Sequence, residues 1–212
     1  MLEVAAEWES ARGQAVRFNF AGSNELARQL AAGARADVHF SADDREVTHL
    51  DNLGLIDRTT RRSLLSNRLV LVVPARLHDE RPADFDWRSF VPDRLAIAGA
   101  EVPAGIYGRR WLAHRDLWHG LSDVAVSTLD VRAALAAVES ESCQAGVCYR
   151  TDAVLSDGVR IVLEQEVDEP PSIAYGVCAM REPVHPDRAR EFVRFLEENA
   201  PRFRSYGFDV RL

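Results

Sequence analysis

FAGSNELARQLAAGARADVHFSAD, residues 20–43, is the stretch from which the rest of the chain can be read. An apolar run ends at Phe20, Gly22-Ser23-Asn24 follows, and Leu26 and Leu30 then recur at helical spacing until Gly33 stops the pattern. A second apolar run, ADVHFSA (36–42), comes next. Ser23 therefore falls near a helix cap, between a strand and a helix, where first-turn N–H groups and the positive end of the helix dipole point outward. Such an end suits an anion. Taken alone, a serine at a helix start is usually no more than a cap.

The same alternation continues in both directions. VRFNF (16–20), RLVLVV (68–73), RLAIAG (94–99), VAVS (124–127), AGVCY (145–149), VRIVLEQ (159–165) and IAYGVCAM (173–180) read as strands. Helical patterns over 24–32, 44–53, from VPAGIY to about Leu117, and 129–139 separate them, and Ala189, Phe192, Val193 and Leu196 mark a last amphipathic helix. RLHDERPADFDWRSFVPD (76–93), polar and proline-bearing, reads as loop. The fold class is α/β, with parallel strands covered by helices.

At 212 residues and 47% hydrophobic, the chain can bury the core of one large domain or two small ones. Its 26 basic against 33 acidic side chains, a net charge of -7 and no basic block argue against a nucleic-acid partner. No apolar run reaches the roughly 18 residues of a membrane-spanning helix. The opening MLEVAAEWES reads as an amphipathic helix, with Leu2, Ala5, Ala6 and Trp8 among acids, and lacks the basic and apolar regions of a signal peptide. Read literally, the chain is not exported.

Catalytic signals are poor. GxSxG, GxGxxG, P-loop, HExxH and CxxC patterns are all missing from the sequence, so the expectation is a protein that is not an enzyme. His114 and His119, five apart, do not share a helix face as a metal pair requires. Cys143, Cys148 and Cys178 cannot all pair internally; Cys143 and Cys148 read as a loop thiol and a buried strand thiol, with a disulfide or redox pair as the alternative. Four places share a position just after a strand: Gly22-Ser23-Asn24, Val102-Pro103-Ala104-Gly105, Asp130-Val131-Arg132 and Cys148-Tyr149. Carboxyl ends of strands form the ligand crevice of open α/β sheets, so backbone amides, a serine hydroxyl and a tyrosine hydroxyl converging there would bind a compact anion without a countercharge. Each place alone also has a plain structural reading: Pro103 as a helix-start proline, Tyr149 as a half-buried strand residue.

The sequence resembles the molybdate-binding proteins that deliver oxyanion to ABC importers. The resemblance rests on residues 20–43, on TRRSLLSNRLVLVVP, VPAGIYGRRWL and DVRAALAAVESESCQAGVCYRTDA, and on the terminal RSYGFDV, in that order along nearly the whole chain. It implies a type II periplasmic-binding-protein fold: two α/β lobes with mixed sheets, joined by crossover strands and holding a tetrahedral dianion in the cleft between them. Lobe I would comprise 1–71 and 178–212, and lobe II 72–177. By motif, the family's ligand donors fall on the Ser23 hydroxyl, the Ala104 amide, the Val131 amide and the Tyr149 hydroxyl. Molybdate or tungstate would be the ligand, with no cofactor and no direct protein–metal bond.

The implied partners are a membrane permease and its ATPase, the implied state a monomer, and the implied location the periplasm or cell surface. One departure is that Met1 falls inside the family's first helix, so the first strand of lobe I and its serine-bearing turn have no counterpart here. The expectation is an open ligand shell and weakened binding, as for an N-terminally truncated form. A second departure is AGAE (98–101), where the family carries an acidic residue and proline; it bears on the local turn and not on Ala104. The alternatives that stay open are a module of the same fold for another small anion, extracytoplasmic or cytosolic, an enzyme using Cys143 or Cys148, and a remnant that binds nothing.

Overall fold

LVLVV at 69–73 is apolar at every position and buried at every position, as a strand covered by helices on both faces requires. In the computed structural model, which describes residues 1–211 apart from 82, 83, 85, 87 and 88, it is one of nine strands. The first half of the chain runs α1 (Leu2–Arg12), α2 (Ser23–Ala31), β1 (Val38–Ser41), α3 (Asp44–Asn52), β2 (Arg62–Asn67), β3 (Leu69–Pro74), α4 (Ala75–Asp79), β4 (Leu95–Ala98) and α5 (Pro103–His114). It continues with α6 (Trp118–Leu121), β5 (Ala125–Thr128), α7 (Val131–Glu139), β6 (Ala145–Tyr149), α8 (Arg150–Ala153), β7 (Val159–Glu164), β8 (Ile173–Ala179), α9 (Pro186–Asn199) and β9 (Asp209–Val210).

Two units divide these elements. The first holds residues 1–66, 173–205 and 209–212, the second residues 67–172 and 206–208. The chain thus leaves the first unit at the β2–β3 junction and returns just ahead of β8.

The first unit is built on a sheet of order β1-β8-β2-β9. β1 and β8 are antiparallel, with Val38 opposite Ala179 and Phe40 opposite Val177. On one face Ala27 and Leu30 of α2 pack with Val47 and Leu50 of α3 against Cys178. Elsewhere in the unit α1 joins α9 through Trp8, whose ring meets Phe192 and Phe195 edge-on at 5.3 Å each. Leu2, read as part of the buried stripe of α1, is exposed, and Val4 is buried instead.

VRFNF (16–20), expected as a strand, is irregular in the structure. The reason is that it has no strand beside it. Its Val16 amide bonds Glu9 Oε1 at 2.5 Å, Asn19 bonds Gln29, and Phe18 stacks on Phe20 at 5.1 Å with the latter exposed. Conversely, β2 is a strand that alternation did not signal, because Ser63, Ser66 and Asn67 break the apolar run; its place between β8 and β9 supplies the pairing. The expected loop 76–93 opens with the short helix α4, held by Arg76, which reaches Glu80 one turn on and Glu141 across the unit. Residues 82, 83, 85, 87 and 88 of that segment lie outside the described residues.

The second unit carries the sheet β5-β4-β6-β3-β7. β4 runs parallel to β5 and β6, while β3 is antiparallel to β6 and β7. A half-buried ion pair ties this unit: Arg115 Nε and Nη2 donate to Glu169 Oε1 and Oε2 at 2.6 and 2.7 Å, and Nη2 also donates to the Glu164 carbonyl. Burial alone would raise the Glu169 carboxyl, but the Arg115 fork and the Glu166 amide outweigh it and hold the pKa below the ordinary value. A depressed acid stabilises the fold above its unfolded pKa and loses that contribution as pH falls through the folded one. Glu169→Gln is therefore expected to lower stability by about 2 kcal/mol at neutral pH. In urea melts the gap between variant and parent should close as pH falls below about 4; a pH-independent gap would rule this out.

Candidate anion site at the carboxyl edge of the second sheet

Because β5, β4 and β6 lie side by side and parallel, their carboxyl ends share one edge of the sheet. The chain leaves that edge into α5, α7 and α8. α5 and α7 pack on opposite faces. Gly108 of α5 sits over Ile97 and Val147, whereas Ala134 and Val138 of α7 pack with Val70, Val72, Ala96 and Cys148. Adjacent parallel strands whose helices depart to opposite faces leave a crevice between their carboxyl ends, the usual ligand position in such sheets.

The start of α5 is a set of unpaired amides. Pro103 occupies the first turn, where its missing N–H costs nothing, and the first helical bond runs from the Ile106 amide to the Val102 carbonyl at 2.9 Å. The amides of Ala104 and Gly105 precede that bond and have no carbonyl within the helix. Gly105 has to be glycine: a Cβ there would lie 2.0 Å from the Gly99 carbonyl oxygen and 2.3 Å from that of Ala98. Arg109, one turn further, locks the same junction by donating to the carbonyls of Ala98 at 2.8 Å and Gly105 at 3.0 Å, with its guanidinium over the Trp118 ring. Sequence reading missed both roles. Their only sequence trace is the i, i+4 spacing of Gly105 and Arg109, which does not reveal that the helix start rests on a strand end.

α7 starts similarly. Asp130 caps it by accepting the Ala133 amide at 2.8 Å, which leaves the Val131 and Arg132 amides at the open first turn. Thr128 Oγ1 donates to the Asp130 carbonyl, and the Gly99 amide donates to the Thr128 carbonyl at 2.9 Å, so the ends of β4 and β5 are tied together. AGAE thereby forms a tight turn in which the Val102 amide closes on the Gly99 carbonyl at 3.0 Å. Tyr149 is the last residue of β6, half-buried and opposite Leu69. The second unit thus brings Ala104, Val131 and Tyr149 to one sheet edge.

Ser23, the fourth expected residue, belongs to the first unit. Its capping role is corrected: Gly22 is the cap of α2, and Ser23 is the first helical residue, from which a side chain does not fold back onto its own first turn. Instead Ser23 Oγ accepts the Ala42 amide at 3.1 Å, fixing the helix start to the residue after β1 and leaving the hydroxyl hydrogen to donate elsewhere.

Side-chain charge does little to favour an anion at the second unit's edge. Burial pushes the Asp152 carboxyl up; nearby Arg132 opposes this and Asp130 adds to it. Attraction must come from the amides and helix ends. The three cysteines are buried and unbonded, and burial drives the Cys148 thiol far up and that of Cys178 up to about 12. Such thiols stay protonated, which disfavours Cys148 as an enzyme nucleophile. Among the described residues, no three His, Cys, Asp or Glu side chains gather as a metal would need, and no helix is long and apolar enough to cross a membrane.

A family model described as bacterial extracellular solute-binding protein matches residues 1–209. The chain belongs to that family. This is a family of solute-binding transport proteins, not of enzymes. The solute-binding chain is 35% identical to the molybdate-binding protein ModA of Escherichia coli over all of its own length and 84% of the relative's. A solved substrate-binding domain assigned to a molybdenum ABC transporter of Clostridium difficile superposes with a TM-score of 0.88 at 27% identity, covering 100% of this chain and 93% of that one. The periplasmic molybdate-binding protein of Azotobacter vinelandii, at 18% identity, shares the fold with a TM-score of 0.73, over 100% and 94% of the two chains. The fold is accordingly that of the periplasmic binding proteins of this type.

Gly105→Ala follows as a test of the site's construction. The added methyl has only backbone to displace, so α5 must move off β4, at a cost of about 1–3 kcal/mol in a urea melt. Anion affinity should fall with it; an unchanged melt and unchanged affinity would contradict the tight seat of α5.

Proposed function

We propose that this solute-binding protein captures molybdate, with tungstate as an equivalent ligand, and delivers it to an ABC permease and its ATPase. The observation that carries the reading is the pair of open helix starts, at Ala104 and Val131, on adjacent parallel strand ends with Tyr149 beside them. A tetrahedral dianion is an acceptor-only ligand, and neutral donors at helix ends meet it without the desolvation cost of burying a countercharge. The names of the E. coli, C. difficile and A. vinelandii relatives point to the same class of ligand. The proposed donors are the amides of Ala104 and Val131 and the hydroxyls of Tyr149 and Ser23.

No covalent step is involved, so the protein acts by binding and release and not as an enzyme. It works outside the cytoplasmic membrane, where an importer collects its cargo. Selectivity against sulfate follows from size: a fixed donor set spaced for the larger tetrahedron leaves the smaller one with longer hydrogen bonds, and these weaken steeply with distance.

Calorimetric titration tests this directly. Molybdate and tungstate should bind with similar affinity and sulfate should not compete. Tyr149→Phe and Ser23→Ala should each weaken molybdate binding about 10- to 100-fold, the worth of one hydrogen bond to a charged ligand, with the fold retained in both and Ser23→Ala melting slightly lower because the Ala42 amide loses its acceptor. Unchanged affinity in both variants would refute the donor assignment, and sulfate binding as tight as molybdate would refute the ligand.

A further inference from the structure

RSYGFDV (204–210) supplies none of the proposed donors, yet its middle lies in the second unit: residues 206–208 belong there, while Ser205 and Asp209 on either side belong to the first. What this segment meets is α8, the turn that follows Tyr149 directly. Arg150 Nη1 donates to the Gly207 carbonyl at 2.8 Å. Gly207 is buried, with φ +85°, and a Cβ on it would lie 2.9 Å from Val154 Cγ2 and 3.2 Å from Thr151 Cα. The segment is therefore pressed onto α8 in a backbone conformation and at a distance that a side chain would spoil.

α8 needs such support. It has four residues, and a single helical turn orders several residues for one hydrogen bond, so it does not hold by itself. Tyr149 is its cap residue and makes no side-chain capping bond. The bonds that fix the turn come from elsewhere in the unit: the Arg150 amide donates to the Arg68 carbonyl at 2.8 Å, Asn67 Nδ2 donates to Thr151 Oγ1 at 3.0 Å, and Ala153 is buried in one cluster with Val70 and Val159. The Arg150 guanidinium joins two further anchors. While Nη1 holds Gly207, Nε lies 3.2 Å from Glu164 Oε1, an oxygen that also accepts Arg68 Nη1 at 2.6 Å. One arginine thus ties the turn after Tyr149 to the end of β7 and to the 206–208 segment.

We infer that Arg150, braced by the Gly207 carbonyl, is the positioning residue for Tyr149, and that RSYGFDV serves the anion site by holding the turn that Tyr149 caps. The inference rests on the reading of Tyr149 as an anion donor. A phenolic hydroxyl sits at the far end of its side chain, so a small tilt of the backbone at Tyr149 displaces it by more than the roughly 0.5 Å that a binding site tolerates. Arg150 acts through the tyrosine and not on the ligand, its Nη1 and Nε being committed to Gly207 and Glu164.

A double-mutant cycle, read by calorimetric titration of the full chain with sodium molybdate, tests this. Arg150→Gln removes the guanidinium without stranding a carboxylate, because Glu164 keeps Arg68, and Gly207→Ala disturbs the same turn from the other side. Each should weaken molybdate binding about tenfold in the parent chain, and by less than about twofold in Tyr149→Phe, where no hydroxyl is left to place. Any fall in Tm, by contrast, should be the same in both backgrounds. Either variant completes a cycle alone, so one that failed to fold would leave the other to decide. Equal losses of affinity in the two backgrounds, or no loss in the parent chain, would overturn the inference. Tyr149→Phe binding molybdate as tightly as the parent would remove the donor reading itself, and the inference with it.

Discussion

Parallel pairing of β4 with β5 on one side and β6 on the other is the constraint on which the candidate site depends. It puts three carboxyl ends at one edge, and the right-handed crossover rule then sends α5 and α7 to opposite faces, so their open first turns flank one crevice. The amides of Ala104 and Val131 are donors only because helix geometry denies them a partner. Their position comes from Gly99 bonding to Thr128 across the strand ends and from Arg109 holding the Ala98 and Gly105 carbonyls.

This arrangement explains how a chain of net charge -7 can be suited to an anionic ligand. Asp130 caps α7 at the very edge in question, and Asp152 is close enough to add to the same local potential. A site relying on side-chain cations would be compromised by these acids. Fixed peptide dipoles, already desolvated and oriented, are not, and they also make ligand recognition a matter of donor spacing.

The sheets of the two units differ in how their strands are paired. In the second, the sheet is finished: β4, β6 and β3 are interior strands, fully buried apart from Tyr149, and Gly146 lets α7 come close enough that a Cβ would meet Val138 at 2.6 Å. In the first, β1 is an edge strand and, among the described residues, pairs with β8 alone.

Much of this was legible in the residues themselves. Runs such as LVLVV and LAIA have no polar face to offer and must be interior strands, and the spacing of Leu26 and Leu30, or of Phe192 and Leu196, is helical whatever the context. Helix starts at Pro103 and Val131 follow from local chemistry, a first-turn proline and a capping aspartate, so two of the candidate donors could be named from sequence. Pairing could not. VRFNF has a strand's pattern and no partner, while RSLLSN lacks the pattern and is a strand because neighbours on both sides hydrogen-bond to it. The same holds for Ser23, whose oxygen meets Ala42 rather than its own helix, and for Gly105 and Arg109, whose roles appear only when α5 is seated on β4. Local propensity and capping act within a few residues and are therefore written in the sequence. Strand neighbours and close backbone approaches join residues far apart in the chain, and only the tertiary structure decides them.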